Sequence, residues 1–272
     1  MRKINIVNGD ISAVVDMDEG MNVVSLIYKD VETVICDEER KKSGGTYAIP
    51  VLFPTPNRTS NNYYIFNGKK TETVMHGNAR HSVFDVVENG KDFVLGRASF
   101  GSIDLCVRIS ICPNRIRWDF DVCNNGPETF PFSIALHPFF DKHVFKYLSS
   151  DIEEEMVTTP ELIPTGKMIK LPSDYMDKKD IDSINLDTVF YSPRAVSSIL
   201  YGPDFSMEIK GSDDFKHVVI YTNPEKEFVC VEPQTGSTDF VNLSQKGFER
   251  EANMLTVEPS GKKSLSVEFK FS

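Results

Sequence analysis

Along much of this chain apolar and polar residues alternate one by one. Ile103, Leu105, Val107, Ile109 and Ile111 alternate with Asp104, Arg108 and Ser110. After Pro113-Asn114 the alternation resumes with Ile116, Trp118, Phe120 and Val122, and Arg117, Asp119 and Asp121 fall between them. A period of two is that of a strand with one covered face, so these residues predict a long antiparallel hairpin with one wet face. Asn67-Gly68 follows Tyr63–Phe66, and Asn89-Gly90 separates two further apolar runs. Both dipeptides favour the positive φ of a tight hairpin turn. Leu265, Val267, Phe269 and Phe271 predict a final strand. Helical spacing is scarce: only Phe140, Val144 and Tyr147-Leu148 suggest two turns. Helix should then occupy under about a tenth of the chain, against the usual third. Many strands with short turns predict an all-β protein, a large antiparallel β-sandwich forming a single domain over residues 1–272.

Composition narrows the class. The chain has 272 residues, 40% of them hydrophobic, enough for a sizeable core. Its formal charge of −10 argues against nucleic acid as a partner, because phosphate backbones need clustered Lys and Arg. A small neutral or singly phosphorylated ligand stays compatible with it. Charged and turn residues interrupt Met1–Asp10 too early for a secretory leader, and no run reaches the roughly 18 apolar residues of a membrane span. The five cysteines are odd in number and form no CxxC pair, so free thiols in a reducing cytoplasm are expected rather than disulfides or structural zinc.

A few ionisable residues stand out. His76 precedes Gly77, and His137 ends the apolar run Ile134-Ala-Leu just before Pro138. Glu232 ends Phe228-Val-Cys-Val just before Pro233. Each proline marks a strand boundary, and strand ends are where rigid scaffolds present functional groups. A buried carboxylate there needs partners. Taken singly, His137 reads as a hydrogen-bonded core histidine, Glu232 as a turn residue, and Arg58 and Arg80 as surface charges. His81, His143 and His217 carry only that kind of reading. Two histidines and a carboxylate can hold iron, but His76, His137 and Glu232 lack ligand spacing, so no metal or cofactor is expected.

Several segments in order resemble the aldose 1-epimerase (galactose mutarotase-like) family. They are Pro56-Asn-Arg-Thr59, Met75-His-Gly-Asn-Ala-Arg80 with Phe84, Leu136-His-Pro-Phe-Phe140, Leu186-Asp-Thr-Val-Phe190, Val231-Glu-Pro-Gln-Thr-Gly236 with Asn242, and Glu258-Pro-Ser-Gly261. The resemblance covers nearly the whole chain. It implies a β-supersandwich and an isomerase that interconverts the anomers of a free aldohexose. It implies that His137 is the general acid and Glu232 the general base, that Arg58 and His76 position the sugar, and that Asp187 binds its hydroxyls. Phe139-Phe140 stands where Tyr-Phe is common in the family. Arg80 is similar to the branch that includes hexose-6-phosphate 1-epimerases, which would need further basic residues such as Arg58 or Lys69 beside it. A sugar-binding protein that has lost turnover is the remaining alternative, although pure binding needs no acid–base pair. The expected partner is a small-molecule sugar, for a cytoplasmic monomer or homodimer.

Overall fold

The computed structural model describes residues 2–272 and consists mainly of strands. One sheet has nine strands, in the order Lys179–Asp180, Tyr147–Ser150, Ser197–Tyr201, Ser206–Gly211, Lys262–Phe271, Arg115–Asn124, Ile103–Cys112, Phe93–Phe100 and Asp85–Asn89. A second sheet runs Pro164–Lys170, Glu154–Thr158, Leu186–Tyr191, His217–Thr222, Phe228–Gln234, Ala135–Leu136 and Val51–Leu52. Its eighth strand, Phe139–Asp141, also pairs with Phe228–Gln234. A four-stranded sheet from the first 32 residues and two small ribbons complete the fold. Strands pair antiparallel throughout the sheets. This is the antiparallel sandwich that the alternation predicts.

The long hairpin forms as expected, with Ile103 opposite Asn124 and Cys112 opposite Arg115. Every second residue of Arg115–Asn124 is buried. Ile109, Trp118 and Phe269 of the nine-stranded sheet share one core with Phe140, Phe190, Ile220, Val229 and Val231 of the eight-stranded sheet. Each such side chain contributes about 1.5–3 kcal/mol when fully buried, so this shared layer holds the two sheets together. The five cysteines are unpaired, and among the described residues no helix is long and apolar enough to cross a membrane.

Two local expectations are corrected. The two helical turns around Phe140–Leu148 do not form: Phe139–Asp141 and Tyr147–Ser150 are strands in different sheets. Phe140 and Leu148 are anchored in the common core, and tertiary burial overrides the local spacing. The short helices are instead Glu38–Lys42, Phe240–Gln245 and Glu249–Ala252. Asn67 and Gly68 take the expected positive φ of 49° and 76°. Asn89 and Gly90 do not, because Gly90, Lys91 and Asp92 join their strands by a longer loop closed by a hydrogen bond from Gly90 N to the Phe93 carbonyl.

Candidate active site

The eight-stranded sheet has two covered faces where Phe228–Gln234 crosses it. Val229 and Val231 enter the common core, so Phe228, Cys230, Glu232 and Gln234 point to the opposite, outer face. Strand register determines what meets them there. Ala135 faces Gln234 and Phe139 faces Cys230, which sets His137 directly opposite Glu232. On the other side Val219 faces Glu232, Tyr221 faces Cys230, and Asp187 faces Tyr221. Three stretches far apart in sequence, one of them a hairpin, thus place one set of side chains on one surface.

Two prolines shape the seam between His137 and Glu232. The His137 N–H donates to the Pro50 carbonyl at 3.2 Å, and the Thr235 N–H to the Ile134 carbonyl at 3.0 Å. Alternate backbone groups point to opposite sides, so the nitrogens of Pro138 and Pro233 both face this seam and carry no hydrogen to donate. The ladder is interrupted there, and His137 and Glu232 form a non-hydrogen-bonded pair, the kind in which opposed side chains lie closest. His137 Nε2 is 3.4 Å from Glu232 Oε1, and the residues are only 8% and 2% exposed. Pro138 does mark a strand boundary. Pro233 does not: Glu232 lies inside a strand that continues to Gln234, because the donor missing from Pro233 falls at the interrupted seam.

Loops build the walls of a cavity of about 210 Å³ above this floor. That is small beside the roughly 300–1,000 Å³ of drug-sized ligand sites and suits one small ring. Asn57 and His76 both adopt left-handed backbone, with φ of 61° and 67°. The His76 N–H donates to the Asn57 carbonyl at 2.8 Å, and the Asn57 N–H donates to His76 Nδ1 at 3.3 Å. An accepting Nδ1 leaves the proton of the neutral ring on Nε2. Gly77, with φ of 70°, fixes this turn: a Cβ there would lie 2.2 Å from the Phe53 carbonyl oxygen. Arg58 is positioned from the far end of the chain. The Asp239 N–H donates to the Arg58 carbonyl at 3.1 Å, and Asp239 Oδ1 accepts from the Ser60 N–H at 3.0 Å and from Asn242 Nδ2 at 2.7 Å.

Burial dominates the electrostatics. It pushes the Glu232 carboxyl well above the ordinary carboxylate range, and the neighbouring Asp187 charge adds to the rise. It lowers His137 well below the ordinary imidazole value, reinforced by His76 and Arg40. His76 falls to about 3, from burial first and then from the positive charges of Arg80, Arg58 and Arg40. Burial thus disfavours a charge on either member of the pair, and His76 is neutral beside them.

Arg58, His76, His137, Asp187 and Glu232 all line this one cavity. Arg80, the sixth expected residue, does not. Its turn directs Nη1 to the Gly44 carbonyl at 2.9 Å, and its charge reaches the histidines only at a distance. Lys69 is also elsewhere, 3.2 Å from Glu128. The second arginine of the cavity is Arg40, which the sequence reading overlooks. Its Nε donates to the Thr46 carbonyl at 2.8 Å, and its guanidinium lies 4.8 Å from the Phe139 ring centre. Phe139 in turn stacks on His137 at 4.7 Å. The run Asp37-Glu-Glu-Arg-Lys-Lys signals the short helix that carries Arg40: an N-cap aspartate, acids in the first turn and bases in the last.

The family model for aldose 1-epimerase matches residues 2–270. The chain belongs to that family of isomerases. No relative among curated proteins matches it. Solved structures with a similar fold include a galactose mutarotase-like protein from Clostridium acetobutylicum, 17% identical, with a TM-score of 0.88 over 99% of this chain and 95% of that one. A putative aldose 1-epimerase from Escherichia coli K12 is 13% identical, with a TM-score of 0.85 over 100% and 99% of the two chains. A galactose mutarotase-like protein from Lactobacillus casei is 19% identical, with a TM-score of 0.81 and complete coverage of both chains. At these identities the likeness is one of fold, and the side chains of this epimerase-family member carry the chemistry argued next.

Proposed function

We propose that this protein interconverts the α and β anomers of a free aldohexose, with Glu232 and His137 as the acid–base pair. With the proton of the pair passed from Glu232 to His137 across their 3.4 Å contact, Glu232 takes the proton of the C1 hydroxyl while His137 delivers one to the ring oxygen, and the C1–O5 bond breaks to give the open aldehyde. Rotation about C1–C2 and reclosure with the roles reversed give the other anomer and restore both groups. Oxygens O1 and O5 are both bonded to C1, so two groups facing each other across a seam can serve them together. The reaction moves protons only, and each assisted transfer is typically worth ~10²–10⁴-fold in rate. Arg58, the neutral His76 with its Nε2 proton, and Asp187 supply hydrogen bonds to the sugar oxygens.

The observation that carries this reading is the 3.4 Å approach of a buried His137 to a buried Glu232 at the floor of a ring-sized cavity. A binding protein has no use for so costly a pair. A second substrate reading, a hexose 6-phosphate, is favoured by Arg40 lining the cavity with Arg58, since paired guanidinium groups suit phosphate. Anomer-exchange NMR on free and 6-phosphorylated aldoses tests both. Faster exchange of glucose than of glucose 6-phosphate at equal concentration supports the first reading, and the reverse supports the second. Exchange no faster than in buffer across the panel would leave a sugar-binding protein.

A further inference from the structure

Cys230 lies beside the acid–base pair without a part in sugar chemistry. It is fully buried, two residues before Glu232 on the same face of the strand and opposite Phe139. A ring nitrogen of His137, the Cys230 sulfur and a Glu232 carboxylate oxygen lie within 4.8 Å of one another. Zinc bonds of about 2.0–2.3 Å imply ligand–ligand edges of roughly 3.3–3.8 Å in a tetrahedron. The 3.4 Å between His137 and Glu232 already has that length, so closing the set needs only side-chain adjustment at Cys230. No protein group bonds to His137 Nδ1, so nothing fixes the ring tautomer and the proton can sit there while Nε2, the nitrogen facing Glu232, coordinates.

The donor types select the ion. One thiolate, one imidazole and one carboxylate suit zinc or cadmium, whereas magnesium and calcium prefer oxygen alone. A divalent ion with one thiolate and one carboxylate is neutral overall, which suits a buried site where single charges are costly. The fourth position of a tetrahedron would open toward the cavity and be filled by water.

We infer that His137, Cys230 and Glu232 bind one thiophilic divalent cation, entering through the sugar cavity, and that the bound ion halts anomer exchange by occupying the acid and the base. The inhibition rests on the proposed function; the binding does not. On coordination the thiol and carboxyl protons pass to solvent, and a chelator reverses the step.

The test uses the full chain and Cys230→Val, which keeps an apolar side chain of similar size in a strand. Cadmium is titrated without sugar while the thiolate-to-cadmium ultraviolet absorbance is followed, and zinc is titrated during anomer exchange. Wild type should bind one cadmium that Cys230→Val does not. The zinc concentration for half-inhibition should rise by roughly 100-fold or more in the variant, given that even outer-shell changes cost 10–100-fold in metal affinity. With chelator present, both proteins should exchange anomers alike. Should the valine variant fail to fold, Cys230→Ala serves in the same two titrations. Equal cadmium absorbance, or equal zinc sensitivity, in wild type and variant overturns the inference. A protein that binds cadmium through Cys230 but exchanges no anomers keeps the metal site and sinks the proposed function instead.

Discussion

The hairpin Ile103–Asn124 and the seam between Ala135–Asp141 and Phe228–Gln234 are both antiparallel pairings, yet they follow opposite rules. In the hairpin the register is unbroken over ten pairs and burial alternates along Arg115–Asn124. At the seam two prolines interrupt the ladder, every residue of Phe228–Gln234 is buried, and its outer face holds Glu232 and Gln234. Gln234 Oε1 and His137 Nδ1 are buried without partners, as are Arg115 Nε and Trp118 Nε1 in the hairpin. Only the seam also buries an ionisable carboxyl against an imidazole, which is costly, so the seam is maintained against stability while the hairpin's apolar face supplies it. The proposed chemistry and the strength thus fall on different sheets.

Substitutions should separate the two. Glu232→Gln keeps the shape and removes the base, so anomer exchange should fall by roughly two to four powers of ten. The melting temperature should hold or rise, because an amide never has to be buried as a charge. A wild-type exchange rate in this variant would refute the assignment of the base. Phe120→Ala, in the hairpin, should do the reverse. It should cost about 3–5 kcal/mol in denaturant unfolding, as large core truncations do, while the folded fraction exchanges anomers at the wild-type rate. A changed rate per folded molecule would show the two regions to be coupled.

Gly77→Ala probes the wall of the cavity. The new Cβ clashes with the Phe53 carbonyl and so displaces His76. Turnover should fall on the order of 10²-fold, the cost of misplacing a binding group by about 1 Å, and the chemistry at Glu232 should stay intact. Unaltered kinetics in a folded variant would remove His76 from the site. The smallest effect is on acid stability. Burial holds His217 at about 4, while the unfolded chain titrates it near 6.5. Its contribution to stability is complete above pH 6.5 and is lost as pH falls toward 4, because the unfolded state binds the proton first. His217→Gln should therefore flatten the pH dependence of unfolding in this window by up to about 1.4 kcal/mol per pH unit. A slope equal to that of wild type would place the proton elsewhere.

The same contrast explains what was legible in the sequence. Period-two alternation exposes the hairpin and the final strand, because one wet face leaves polar residues at every second position. Phe228–Gln234, covered on both faces, shows no alternation, and Pro233 disguises its course as an end. The residues that line the cavity were readable as a set through the motifs around His76, His137, Asp187 and Glu232. Arg40 was not, because its place depends on the pairing of its short helix with Thr46 and Phe139, contacts that no local pattern announces. Arg80 misled for the converse reason: it sits in a motif, but the turn at Gly77 carries its side chain to Gly44. Asp239 escaped notice because its task is to hold the backbone of residues 58–60 from almost two hundred positions away.

The strand Lys262–Phe271 lies between Arg115–Asn124 and Ser206–Gly211, and so joins the two halves of the nine-stranded sheet. A ribosome delivers those halves long before it delivers the strand that unites them. Between the completion of Ser206–Gly211 and the arrival of Lys262–Phe271 the nascent chain must therefore carry two open sheet edges, with Trp118 and Ile209 lacking their neighbour Phe269. Chains stalled with residues 262–271 still in the exit tunnel should be cut rapidly by protease, and release of those residues should confer resistance in a single step. For this fold, a strand made after both halves of the sheet is the one that closes it.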